Sequence, residues 1–122
     1  MAKTILIVDD SSSLRQVVCM ALEDAGYHVI EAVDGQDGLN KLNGSKVHLI
    51  ISDVNMPRMD GITFVKELKK RPELRFTPVV MLTTEVHEAK KQQGREAGAR
   101  AWVVKPFQPS QMVEVVSKLI MA

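Results

Sequence analysis

The sequence predicts an α/β fold: a doubly wound, five-stranded parallel sheet covered by five helices. Three observations carry this expectation. Five short apolar runs alternate with helical patterns along the chain, the arrangement of successive βαβ units. The runs that lead to Asp9, Asp53 and Thr83 are almost continuously apolar, as strands covered on both faces are. Four of the five runs also end on polar residues of the kinds that phosphoryl chemistry uses. Right-handed crossovers would gather those ends along one edge of the sheet, where open α/β sheets bind ligands.

The first strand is Thr4-Ile5-Leu6-Ile7-Val8, running into Asp9-Asp10. Leu14, Val17, Val18, Ala21, Leu22 and Ala25 then form one stripe of a helix, with Ser11 or Ser12 as N-cap and Gly26 as stop. Cys19 falls off that stripe. His28 to Ala32 is the second strand, and a short helix from about Gln36 to Leu42 ends at Asn43-Gly44. The third strand, Val47 to Ser52, runs into Asp53. Pro57 and Gly61 make the stretch from Asn55 to Gly61 a loop, and a helix follows to about Lys70, stopping before Arg71-Pro72. Pro78 to Leu82 is the fourth strand and runs into Thr83-Thr84. Glu85 to Ala97 reads as a markedly polar helix weakened by Gly94. Ala101 to Val104 is the fifth strand and leads to Lys105-Pro106. Pro109 opens the last helix, which buries Met112, Val115, Val116 and Leu119.

Composition narrows the classes of function. With 122 residues, 45% of them hydrophobic and 25% charged, the chain is expected to be one soluble domain over 1–122 with a full core. A net charge of +1 gives no basic footprint, so no nucleic-acid partner is expected. No apolar stretch approaches the ~20 residues of a membrane span, and no signal peptide is visible. The lone Cys19 builds no disulfide framework, which fits a reducing cytoplasm. A cytoplasmic monomer without membrane contact is the expectation.

The strand-end residues define a chemistry. Asp9, Asp10 and Asp53 would converge, and two carboxylates ~5 Å apart repel by roughly 3 kcal/mol at an effective dielectric near 20. Such a site raises its pKa values or takes up a cation. Mg²⁺ (or Mn²⁺) suits it, being a hard ion that prefers oxygen ligands and is often completed by phosphate. Asp53, at the end of the middle strand, is the best-placed nucleophile and would form an aspartyl phosphate. Lys105 can offset charge on the transferring group, and the Thr83 hydroxyl can donate to a phosphoryl oxygen. Each residue alone could be a helix cap or a turn residue, but chance would scatter them instead of placing them at the same end of successive strands.

Val8-Asp9-Asp10, Asp53-x-x-Met56-Pro57-x-Met59-x-Gly61, Thr83 and Lys105-Pro106-Phe107 together resemble the receiver domain of two-component response regulators. The intervals from Asp53 to Thr83 and to Lys105 match the family's, and the resemblance covers essentially the whole chain. With no effector domain recognised, it is most similar to the single-domain, chemotaxis-type regulators. The resemblance, and not the spacing, implies the strand order 2-1-3-4-5 of flavodoxin-like chemotaxis receivers. It implies that Asp53 is the phosphoacceptor, with a phosphohistidine of a chemotaxis-type sensor histidine kinase as donor. It also implies that Asp10 is a direct Mg²⁺ ligand, that Asp9 acts mainly through water, and that the backbone carbonyl of Asn55 is a third protein ligand. Thr83 and Lys105 would sense the phosphoryl group, and the Lys105–Pro106 peptide bond would be cis.

The output surface implied by the family is the face of the fourth helix, fifth strand and last helix, which here carries Val86, His87, Lys90, Lys91, Trp102 and Val104. Trp102 stands where receivers usually place a Tyr or Phe switch ring, and its larger indole is expected to hinder inward rotation. Lys91 stands where motor-binding members tend to be apolar, which weakens the case for a flagellar motor switch as partner. A phosphorelay intermediate or a regulator of a non-flagellar output is the alternative. Two other classes fit less well. A haloacid-dehalogenase-like phosphatase wants a second Asp two residues after its nucleophile, where Asn55 stands. A flavodoxin-like cofactor module would bring phosphate against Asp9 and Asp10.

Overall fold

The computed structural model describes residues 2–44, 46–84 and 88–121. Its elements are β1 (Thr4–Val8), α1 (Ser12–Asp24), β2 (His28–Ala32), α2 (Gly35–Lys41), β3 (Leu49–Asp53), α3 (Gly61–Leu68), β4 (Val79–Thr83), α4 (Glu88–Ala97), β5 (Ala101–Val104) and α5 (Pro109–Met121). A single 3-10 turn, Pro72–Leu74, separates α3 from β4. The five strands pair in parallel in the order β2-β1-β3-β4-β5, which is the predicted doubly wound architecture. No helix among the described residues is long and apolar enough to cross a membrane.

The apolar runs are continuous because their alternate residues feed two cores. Leu6, Val8, Ile50 and Met81 join Phe64, Val65 and Leu68 of α3 on one side of the sheet. Ile5, Ile7, Ile51 and Leu82 join Val18 and Leu22 of α1 and Met112 and Val116 of α5 on the other. The register pairs Val8 with Ser52, Asp53 with Leu82, and Thr83 with Val104. Strands in step end together, so the residues that follow them share one edge.

Ser11 caps α1, its side chain accepting from the Leu14 N–H at 3.3 Å. The helix ends at Gly26, whose φ of 97° is open to glycine at no steric cost. There the Tyr27 N–H donates to the Leu22 carbonyl and the Gly26 N–H to that of Glu23, a Schellman closure.

The predicted stripe of α1 needs correction. Val17 is 48% exposed and Ala25 faces solvent, whereas Cys19 is buried with Val18 and Leu22. On the same side of the helix as Cys19, the Arg15 guanidinium reaches back to the Asp9 carbonyl and to Glu31. Burial, then the nearby Glu31 carboxylate, pushes the Cys19 thiol up to about 12. Glu85, Val86, His87 and the Lys90 side chain, which the sequence assigned to the fourth helix and its outer face, lie outside the described residues.

Candidate functional site

The chain leaves β1 still bonded to the sheet, the Asp9 N–H donating to the Ala32 carbonyl at 3.1 Å. This buries the Asp9 carboxylate completely, and its Oδ1 accepts from the Ser11 N–H at 2.8 Å. Asp10 is exposed beside it. Asp53, the last residue of β3, is buried at the centre of the same edge. One carboxylate oxygen from each of Asp9, Asp10 and Asp53 falls within 4.8 Å of the others.

Lys105 follows β5, and its N–H donates to the Thr83 carbonyl at 2.8 Å. From there its Nζ lies 3.3 Å from Asp9 Oδ2 and 3.3 Å from Asp53 Oδ1. The Lys105–Pro106 bond is cis. Burial and then the Asp9 charge raise the Asp53 carboxyl above its ordinary value, Lys105 opposes them, and Asp10 adds a smaller push upward. Thr83, the last residue of β4, is buried at the same edge.

The loop after Asp53 is tied at its root. The Val54 N–H donates to the Leu82 carbonyl at 2.9 Å, and the Gly61 N–H donates to the Val54 carbonyl at 2.7 Å. A Cβ on Gly61 would lie 2.1 Å from the Asp53 carbonyl oxygen, so a residue without one is required for the loop to close there. Asn55 is exposed on this loop, two positions from Asp53. The donor set is all oxygen and its charge exceeds what one ammonium balances, which fits a hard divalent cation such as Mg²⁺ or Mn²⁺.

Residues 5–117 match the family described as the response regulator receiver domain. The chain belongs to that family. Receiver domains in general accept phosphoryl groups from histidine kinases and bind Mg²⁺ at an acidic site, and this receiver has the acidic cluster for it. It is 40% identical over 113 residues to the phosphate regulon transcriptional regulatory protein PhoB of Escherichia coli (strain K12), an overlap of 93% of this chain and 49% of PhoB. The chain thus spans about half the length of the curated relatives it matches. Among solved structures, the chemotaxis protein CheY4 of Vibrio cholerae is similar at a TM-score of 0.94 and 44% identity, over 98% of this chain and 99% of that one. A CheY-like receiver domain protein of Methanospirillum hungatei JF-1 is similar at 0.93 and 26%, over 99% and 95%.

On the α4–β5–α5 side of the receiver, Val104 is exposed and Lys91 is half-buried. Trp102 packs against the core beneath α4, and its Nε1 is buried with no hydrogen-bond partner among the described residues. The ring is half-buried and seated against α4. Gly94 of α4 has no Cβ, and one placed there would lie 2.2 Å from Trp102 Cζ2. The glycine that reads as a weak point of the helix is the space that the ring occupies.

An apolar cavity of about 410 Å³ adjoins Lys105, lined by Leu14, Val17, Thr84, Pro106, Phe107 and Pro109. Sequence reasoning missed two groups, Arg15 and the pair Asp34–Arg58. Both act through contacts between segments distant in the chain, and no local spacing marks them.

Proposed function

We propose that this receiver takes a phosphoryl group from a phosphohistidine onto Asp53 in a Mg²⁺-dependent reaction, and that the modified form alters its α4–β5–α5 face for a partner in chemotaxis. The observation that carries the reading is the setting of Asp53: a buried carboxylate with a raised pKa, 3.3 Å from the Lys105 ammonium and clustered with Asp9 and Asp10. A carboxyl made more basic is a better nucleophile, provided that charge on the incoming group is balanced.

Asp9, Asp10, Asp53 and the Asn55 carbonyl would hold Mg²⁺, which supplies positive charge toward the phosphoryl oxygens. An Asp53 carboxylate oxygen attacks phosphorus. The new P–O bond forms as the P–N bond to the donor imidazole breaks, and the imidazole leaves with the electron pair and is protonated from solvent. Lys105 balances charge on the phosphoryl oxygens, and the Thr83 hydroxyl donates to one of them. Water attack on the same phosphorus releases phosphate and restores the carboxylate. Moving the output face from 1:99 to 99:1 needs about 5.5 kcal/mol of differential interaction, which the new contacts to Thr83 and Lys105 must provide. The apolar cavity beside Lys105 and the exposed Val17 and Met20 of α1 offer the donor an apolar footing. Similarity to CheY4 supports the chemotaxis output.

Intact-mass spectrometry after incubation with acetyl phosphate tests the acceptor. One phosphoryl group should be added with Mg²⁺ and none with a chelator, and Asp53→Asn should stay unmodified. Equal labelling of Asp53→Asn would overturn the assignment. A chemotaxis-type kinase that labels the parent chain no faster than an unrelated kinase would overturn the proposed partner.

A further inference from the structure

The loop that carries Asn55 is fastened at its tip as well as its root. Arg58 adopts a φ of 67°, a left-handed conformation that costs a residue with a long side chain some strain. From there its guanidinium reaches to Asp34, 24 positions earlier in the chain, Nε donating to Oδ2 at 2.9 Å and Nη2 donating to the same oxygen. The Asp34 side chain is only 3% exposed although that of Arg58 is 73% exposed, so the pair clamps a solvent-side loop onto a buried anchor.

The anchor is itself rigid. Asp34 Oδ1 caps α2 by accepting from the Asp37 N–H at 2.9 Å, and Asp37 Oδ2 accepts from the Val33 N–H at 2.9 Å. The Asp37 N–H and then Arg58 hold the Asp34 carboxyl below its ordinary value, so it stays ionised. Beside the ion pair, Met59 lies on the Gly35 backbone, where a Cβ would meet its Sδ at 2.9 Å. The tip is thus pinned by one charged and one apolar contact to the segment between β2 and α2.

We propose that Arg58 and Asp34 are positioning residues for the metal-binding loop, holding Asn55 where its carbonyl can complete the Mg²⁺ site. The inference rests on the proposed role of Asn55 and of the acidic cluster. Arg58 acts through geometry and not through its field. Its charge is committed to Asp34, and a free cation near three carboxylates would oppose a dication.

That opposition of signs gives the test. Mg²⁺ affinity is measured by isothermal titration calorimetry without any phosphoryl donor, on the parent, Arg58→Asn, Asp34→Asn and the double variant. Asparagine tolerates the left-handed conformation at 58 and caps a helix at 34, so melting in chelator should stay close to the parent's. Loss of a positive charge should by field alone tighten Mg²⁺ binding. The clasp predicts the reverse for Arg58→Asn: three- to tenfold weaker binding, with a loss of like size in Asp34→Asn and a double variant no weaker than the weaker single. Arg58→Asn binding Mg²⁺ as tightly as the parent, or more tightly, overturns the proposal. So do single losses that multiply in the double variant. A parent chain that binds no Mg²⁺ overturns the functional reading itself, whereas a parent and variants that all bind it equally well overturn the clasp alone.

Discussion

Gly94→Ala tests the seat of the Trp102 indole. The added Cβ would sit 2.2 Å from Cζ2 where ordinary contact begins at 3.4 Å, so ring and helix must separate by about 1.2 Å. Two terms oppose each other. Alanine gains about 1 kcal/mol over glycine in a helix interior. Overpacking a closed contact costs about 1–3 kcal/mol. The net loss is then roughly 0–2 kcal/mol, a fall in Tm of a few degrees for a chain of this size. Stability alone is a blunt readout, because an indole pushed outward regains water at a buried Nε1 that has no partner among the described residues. Fluorescence is sharper, since Trp102 is the only tryptophan. Its emission should move to the red and become more accessible to iodide. A Gly94→Ala chain that is more stable, with emission and quenching unchanged, would refute the account of Gly94 as the ring's seat.

Two further substitutions probe the site. The Asp53 carboxyl holds its proton more readily in the folded chain than in the unfolded one, so the folded form is favoured at acid pH and loses that contribution as pH rises through the raised value. In chelator, Asp53→Asn should therefore melt higher than the parent at neutral pH, with the gap closing below the ordinary carboxyl value of 3.8. A gap that stays constant with pH would contradict the burial and Asp9 argument. Gly61→Ala drives a Cβ to 2.1 Å from the Asp53 carbonyl oxygen, where only backbone can yield. Chemical denaturation should show a loss of about 1–3 kcal/mol or more, and a neutral result would mean that the loop has slack at its root.

The fold was legible because it depends on local pattern. Strand ends from Thr4 to Val8 and from Ala101 to Val104 were read to the residue, since apolar runs stop abruptly at charged or proline-bearing turns. The carboxylate cluster followed from topology: parallel strands in register put Asp9 and Asp53 on one edge whatever the helices do. What escaped depended on partners far away in sequence. On α1 the periodicity placed Leu14, Val18 and Leu22 inward and erred at the edges of the stripe. It counted in the exposed Val17 and Ala25 and left out the buried Cys19, which lies one turn from the Arg15 that reaches Asp9 and Glu31. Gly94 read as a helix weakness because its meaning lies on β5, in the ring of Trp102.

The same distinction explains how the site balances charge. Three basic side chains reach across the sheet edge or between loops, and they are not equivalent. Arg15 is engaged by the Asp9 carbonyl and Glu31, and Arg58 by Asp34. Lys105 alone of the three places its charge on the cluster, 3.3 Å from both Asp9 and Asp53. One ammonium against three carboxylates leaves an excess negative charge that a divalent cation can neutralise. If either arginine were released into the cluster, that excess would shrink and the preference for a dication would weaken. Tethering them to Glu31 and Asp34 therefore engages both charges elsewhere and leaves the edge of the sheet with the net negative charge that suits a divalent cation.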